Sequence, residues 1–234
     1  LIAGNVLPLK NIKNYYFFTT LAGNVTGFWL AVRVEYFLLG FIFPVVSIML
    51  WYYSSTYQKK VLIGNLMIAA MSGLVVLVVW LFEMFAMLAD PVKYVEVMSQ
   101  LKTVGLIALA YTLFAFLVTM VREVLKDTED MKGDMDFGFR TLPIAFGWIK
   151  ARHFTVVLEI LVIVVLAGFQ YYLHNKGFTL VFWYLLIAVQ MLLLYLVFHT
   201  LKAGKKEDFH FLSNVTKIIM VAGILSMQLF YISV

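Results

Sequence analysis

Seven long apolar runs occupy most of this chain and limit what it can fold into. Each run is 18–22 residues long, which is the length that a helix needs to cross the hydrocarbon core of a bilayer. Only helices and closed barrels satisfy their backbone hydrogen bonds there. Just 13% of the residues are charged, about half the fraction found in soluble domains. We therefore predict an all-α membrane protein with spans near residues 15–32, 36–53, 61–82, 103–121, 154–172, 178–199 and 215–232.

The basic residues predict how these spans are oriented. Of the 18 Lys and Arg residues, 14 fall on one side of the membrane, and the other four are Arg33, Lys93, Lys102 and Lys176. The positive-inside rule assigns the richer side to the cytoplasm. We expect a multi-pass protein of the cell membrane or inner membrane, embedded in its lipids. The basic residues are spread over several loops rather than gathered on one face, so nucleic-acid binding is not expected.

The most charged segment, residues 122–143, directly follows the fourth apolar run. On a helix, four of its acids share a face: Glu123, Asp127, Asp130 and Asp134. Like charges one turn apart destabilise a helix by about 0.2–0.5 kcal/mol per pair, so this acidic face needs water or cations. Oxygen ligands in a chain without cysteine favour a hard cation such as Mg²⁺. Glu129 and Asp136 fall on the opposite side of the helix and are not expected to take part.

Basic side chains accompany these acids and indicate an anion. Arg122, Lys126, Lys132 and Arg140 lie in the same segment, and Lys59 and Lys60 follow the second span. Mg²⁺ in proteins is often held by one or two carboxylates together with substrate phosphates. The pattern therefore predicts a Mg²⁺–diphosphate site at the cytoplasmic surface. The alternative is a solvated charged loop and a basic anchor that only fix the topology.

Polar residues inside the apolar runs give further candidates. Asn65, near the cytoplasmic end of the third span, is predicted to face the bundle interior and line a substrate cavity. Glu159 is the acid deepest within an apolar run, and Arg152 lies seven residues earlier on the same face, which predicts a pair between them. His153, His199 and His210 lie near span ends without metal-ligand spacing and are interpreted as interfacial.

Asp127, Asp130 and Asp134, followed by Gly138 and Thr141–Pro143, resemble the second aspartate motif of the UbiA superfamily of intramembrane prenyltransferases. The family's acidic DxxxD, on a cytoplasmic loop, is matched by Asp130 and Asp134. The segment from Tyr53 to Lys60 is similar to the family's Tyr–small polar–Lys–Arg segment, which contacts the diphosphate.

The resemblance implies a fold with nine transmembrane helices, of which this chain would hold seven. The residues 1–14 look like the end of the loop after the family's second helix. We therefore expect a chain truncated at its N-terminus, without the first two helices and the first aspartate motif, and inactive as a fragment.

The activity implied by the resemblance is Mg²⁺-dependent transfer of an isoprenyl group from a polyprenyl diphosphate to an acceptor. Asp130, Asp134 and Lys59 would be catalytic, and Asp127, Asp130 and Asp134 would bind the metal. The substrate would be bound by Lys60, Arg122, Lys132, Arg140, Tyr53 and Asn65.

The acceptor implied most directly is a glycerol hydroxyl, as in the geranylgeranylglycerol-phosphate geranylgeranyltransferase-like branch of the family. Aromatic prenylation in quinone or haem biosynthesis is the nearest alternative. A cation transporter is an alternative of another class, although its ionisable residues would be expected near the bilayer midplane. An inert fragment is the remaining alternative.

Overall fold

The computed structural model describes residues 8–232, and these residues are helical almost throughout. The helices are α1 Leu9–Arg33, α2 Ile42–Ser55, α3 Ile63–Leu88, α4 Pro91–Asp136, α5 Leu142–Phe146, α6 Trp148–Asn175, α7 Thr179–Tyr184, α8 Met191–Lys202 and α9 Lys206–Ile232. Two 3₁₀ turns, Phe37–Phe41 and Tyr57–Lys59, precede α2 and α3, and a π-helical segment, Leu185–Gln190, joins α7 to α8. The described residues contain no β-strand, which confirms the predicted all-α fold.

Six helical stretches are long and apolar enough to cross a membrane, so the chain is an integral multi-pass membrane protein. These stretches are Phe37–Ser55, Ile63–Leu88, Tyr94–Asp136, Trp148–Asn175, Thr179–Lys202 and Lys206–Ile232. They correspond to six of the seven predicted spans. The remaining prediction, 15–32, falls in α1, which is helical but interrupted by polar residues such as Thr19, Asn24 and Thr26. The seventh span therefore stays a prediction.

The chain divides into two compact units, and α3 and α4 contribute residues to both. The first unit comprises residues up to Ser54 together with Leu77–Leu106. In it, α1 ends at a tight turn where Glu35 has φ 59°. Phe28 of α1 packs between Phe37 and Phe41, with ring centroids 5.4 and 5.3 Å away. The Asn24 amide donates to Ser47 Oγ at 3.0 Å and ties α1 to α2.

The second unit comprises Ser55–Val76 and the chain from Ile107 onwards, and it holds the larger core. Helix α8 packs against α6 and α9. One buried core contains Leu117 of α4, Leu166 of α6, Leu196 of α8 and Ile219 of α9. Small residues allow the helices to approach closely. A Cβ added at Gly223 of α9 would lie 2.7 Å from Cε1 of Phe114 on α4.

The predicted pair between Arg152 and Glu159 is wrong. Glu159 is fully buried and accepts a hydrogen bond from Thr200 Oγ1 at 2.7 Å. Arg152 instead donates from Nη1 to the carbonyl oxygen of Ala203 at 2.8 Å. The last carbonyls of a helix have no partner within it, and a long arginine side chain extends toward the surface. Arg152 therefore caps the end of α8 rather than neutralising a buried acid.

Candidate functional site

The acidic face lies on the charged C-terminal part of α4. The helix has 46 residues, more than twice the roughly 20 that a helix needs to cross the hydrocarbon core. Its apolar part ends near Val121, and the charged segment from Arg122 onwards follows it. The helix continues to Asp136 and is followed by Gly138 with φ 71°. The aspartate motif is therefore helical, as the one-face arrangement predicted, and not on a loop.

Asp127 is held by a residue from α3. The buried Asn65 donates from Nδ2 to Oδ2 of Asp127 at 2.8 Å. Partial burial raises the pKa of the Asp127 carboxyl, and the Asn65 hydrogen bond partly offsets that increase. Asn65 thus contacts a predicted metal ligand directly, whereas its predicted role in lining a substrate cavity stays a prediction.

The three aspartates are spaced too widely to surround one ion by themselves. Asp127 and Asp134 are seven residues apart, about 10 Å along the helix axis, whereas Mg²⁺–oxygen bonds are about 2.1 Å. Among residues 8–232, no three His, Asp or Glu side chains converge on a possible metal position. Their oxygen atoms do suit Mg²⁺ held by one or two carboxylates, with an anion supplying other ligands. The residues fit that mode of binding and do not fit a metal cage made of protein alone.

The basic segment after α2 lies against the segment that follows α4. The backbone N–H of Arg140 donates to the carbonyl oxygen of Lys59 at 2.9 Å. Lys59 Nζ lies 5.4 Å from the centroid of the Phe139 ring, and Lys60 Nζ lies 4.8 Å from that of Tyr57. Residues about 80 positions apart in the sequence are therefore neighbours. The structure brings the two segments that the diphosphate hypothesis requires next to each other.

The remaining predicted substrate residues are Arg122, Lys132 and Tyr53. Arg122 Nη1 lies 2.5 Å from Oε1 of Glu123, so an acid of the same helix already pairs with it. Lys132 is exposed on α4. Tyr53 lies near the end of α2 in the first unit. The substrate-binding roles of Arg122, Lys132 and Tyr53 stay predictions.

An apolar pocket lies in the second unit between α4, α6, the π-helical segment and α9. Tyr111, Phe114, Phe169 and Leu185 are among its lining residues. The hydroxyl groups of Tyr111 and Ser226 are hydrogen-bonded to each other, which leaves the phenol ring to face the pocket. The lining suits a hydrocarbon group rather than a charged one.

Sequence reasoning missed a polar contact on the other side of α4. Glu129 Oε1 lies 2.8 Å from Nδ1 of His210 on α9. The Nε2 atom of His210 lies 3.1 Å from Nδ2 of Asn214, and Lys217 Nζ donates to Oδ1 of Asn214 at 2.9 Å. The spacing 210, 214 and 217 places these three side chains on one face of a helix. That spacing was the available signal, but it could not show that the face is turned toward Glu129.

Comparison with known proteins gives one family. The model of the UbiA prenyltransferase family matches residues 8–215. A digeranylgeranylglyceryl phosphate synthase of Methanosphaera stadtmanae is 25% identical over 225 residues, covering 96% of this chain and 73% of the relative. One of the same name from Thermococcus gammatolerans is 38% identical over 109 residues, covering 46% of this chain and 38% of the relative.

A solved structure shares the fold. It comes from work on structural and mechanistic insights into the biosynthesis of digeranylgeranylglyceryl phosphate synthase in membranes. The TM-score is 0.58 at 22% identity, and the match covers 97% of this chain and 72% of the solved chain.

Proposed function

The chain belongs to the UbiA prenyltransferase family, and we propose that it transfers an isoprenyl group from an isoprenyl diphosphate to the hydroxyl of a glycerol-phosphate lipid precursor. The family makes the protein a prenyltransferase. The proposed acceptor is supported by relatives that are named as digeranylgeranylglyceryl phosphate synthases.

One observation carries the proposal. The Arg140–Lys59 backbone hydrogen bond, 2.9 Å long, joins a segment with two lysines to the segment that directly follows the acidic end of α4. Cations for a diphosphate and carboxylates for its metal thus belong to one unit of the chain. A charged loop that only fixed the topology would not need these two segments to meet.

In the proposed reaction, the bond between the isoprenyl carbon and the diphosphate oxygen breaks, and the electron pair stays with the diphosphate, where negative charge develops. The acceptor hydroxyl oxygen forms the new ether bond to that carbon, and the hydroxyl proton is released to water or to the departing diphosphate. Lys59, Lys60 and Arg140 would stabilise that charge electrostatically. Asp130 and Asp134, one turn apart on α4, would hold Mg²⁺ through their carboxylate oxygens. When bound, Mg²⁺ supplies Lewis-acid stabilisation of the diphosphate oxygens.

Asp127 would add a third carboxylate of fixed direction beside Asp130 and Asp134; it would not hold the metal by itself. The Asn65 hydrogen bond fixes the direction of its carboxylate, and fixed polar groups cost no reorganisation during reaction. The proposed orientation places this end of α4 in the cytoplasm, where a soluble diphosphate product can leave.

The test is a transfer assay with the full-length protein in lipid nanodiscs. Labelled geranylgeranyl diphosphate is supplied with geranylgeranylglyceryl phosphate or with an aromatic acceptor, each with Mg²⁺ or with EDTA. We expect label in the ether lipid only when Mg²⁺ is present. Transfer to the aromatic acceptor alone would contradict the proposed acceptor, and Mg²⁺-independent transfer would contradict the metal assignment.

A further inference from the structure

Four polar side chains form a continuous line from α9 to the acidic end of α4. Lys217, Asn214 and His210 lie on one face of α9, and Glu129 lies on α4. Successive members are 2.9, 3.1 and 2.8 Å apart. Glu129 is mostly buried, with 15% of its side chain exposed, while His210 is 62% exposed. The line therefore begins in an exposed position and ends at a largely buried carboxylate.

The direction of these hydrogen bonds follows from lysine, which can only donate. The Asn214 atom that faces Lys217 is accordingly the carbonyl oxygen, so the Asn214 amide nitrogen faces Nε2 of His210 and donates to it. Nε2 is then the acceptor, and the imidazole proton sits on Nδ1, where it is donated to Glu129. The four groups thus form a consistent donor series, Lys217 to Asn214 to His210 to Glu129.

This series holds α4 on the side opposite Asn65. Glu129 is two residues from Asp127 and therefore about 160° away around the helix. Asn65 contacts α4 through Asp127, and His210 contacts it through Glu129. Two contacts on nearly opposite sides fix the rotation of a helix about its axis. They act together with the packing of Val124 and Leu125, which are fully buried on this part of α4.

We infer that His210 is a positioning residue for the prenyl-transfer site: through Glu129 it sets the rotation of α4 and thereby the direction of the Asp130 and Asp134 carboxylates. This inference rests on the proposed function, because it assigns those carboxylates to the metal. Glu129, which the sequence pattern leaves outside the site, acquires a supporting role. Partners that hydrogen-bond a metal ligand directly change metal affinity or activity by about 10- to 100-fold when they are removed; His210 acts through Glu129 and the helix, so we expect an effect at the lower end of that range.

The test measures metal binding and does not depend on turnover. Mn²⁺ is titrated into the full-length protein with inorganic diphosphate, and free Mn²⁺ is followed by electron paramagnetic resonance. The same titration without protein is subtracted, because diphosphate itself binds Mn²⁺. His210→Leu should weaken Mn²⁺ binding by about 10-fold or more. His210→Asn keeps a donor close to the position of Nδ1 and should restore affinity to within about threefold of wild type.

Two further variants keep the outcome interpretable. His199→Leu is the matched control, because Nδ1 of His199 lies 2.9 Å from the Tyr195 carbonyl oxygen of its own helix; it should bind Mn²⁺ as wild type does. Asn214→Leu removes the donor to Nε2 while retaining His210 and should weaken binding less than His210→Leu. If His210→Leu does not fold, Asn214→Leu provides the test instead.

The results separate this inference from the proposed function. Weaker Mn²⁺ binding in His210→Leu and Asn214→Leu, with recovery in His210→Asn, supports the inference even if the wild type transfers no isoprenyl group. Wild-type Mn²⁺ affinity in folded His210→Leu, or in Asn214→Leu if His210→Leu does not fold, would overturn it. Equal weakening in His199→Leu would overturn it as well, since the effect would then not depend on the contact with Glu129.

Discussion

Asp127 differs from Asp130 and Asp134 because a side chain of α3 already holds its carboxylate. Asn65→Leu would leave Asp127 partly buried and without this hydrogen bond, which typically costs about 1–3 kcal/mol. We expect a corresponding loss in the free energy of unfolding, measured by denaturant titration in detergent. Ser72→Ala is the control on α3, where Ser72 accepts a hydrogen bond from Thr119 at 3.0 Å; such interhelical bonds are worth about 0.6 kcal/mol in membranes. Equal losses in the two variants would contradict the role given to Asn65.

The contacts of single residues also separate what the sequence can predict from what it cannot. The one-face arrangement of Asp127, Asp130 and Asp134 could be predicted, because helix geometry relates residues that are close in the chain. The Asn65–Asp127 contact joins residues 62 positions apart, and the rotation of α3 against α4 that produces it is set by packing. Same-face spacing also predicted a pair between Arg152 and Glu159, but the unpaired carbonyl at the end of α8 is the better partner for Arg152.

At the scale of elements, an acid in the first turn of α9 accepts hydrogen bonds from the backbone that precedes the helix. Asp208 Oδ2 accepts hydrogen bonds from the N–H groups of Gly204 and Lys205, both at 2.9 Å. Asp208→Ala should lower the free energy of unfolding by about 1 kcal/mol, the net worth of a typical intramolecular hydrogen bond. Glu207→Ala is the matched control, since it removes an acid from the same turn. An equal effect in Glu207→Ala would mean that charge at the helix terminus, rather than these hydrogen bonds, is responsible.

Among the helices, α4 is the one whose length the sequence predicts least well. The apolar pattern predicts a span at 103–121, whereas the helix runs from Pro91 to Asp136. Hydropathy detects the part of a helix that lies in lipid and cannot detect an extension into water. Lys126 and Asp130 are one turn apart, and opposite charges at that spacing stabilise a helix. Val124 and Leu125 in the same segment are fully buried, and their packing further stabilises the helix despite its clustered acids.

At the scale of the whole molecule, six of the seven predicted spans have matching apolar helices, but their orientation in the membrane is a prediction from charge. Reporters fused after Lys60, Lys150 and Lys206 should be cytoplasmic, because 14 of the 18 basic residues fall on that side. Reporters near Asp90 or Asn175 should be on the opposite side. Opposite locations for the Lys60 and Lys150 reporters would contradict the predicted topology and the cytoplasmic placement of the site.

The central claim is that Asp130 and Asp134 hold the metal that activates the diphosphate, and the turnover of their variants tests it most directly. Asp130→Asn and Asp134→Asn in the full-length protein should each lower kcat for isoprenyl transfer by about 100-fold or more, because metal stabilisation contributes several kcal/mol and ~1.4 kcal/mol is a tenfold change. Asp136→Asn, on the opposite side of the same helix end, should remain within about threefold of wild type. Wild-type kcat in Asp130→Asn and Asp134→Asn, or equal losses in all three variants, would contradict the account.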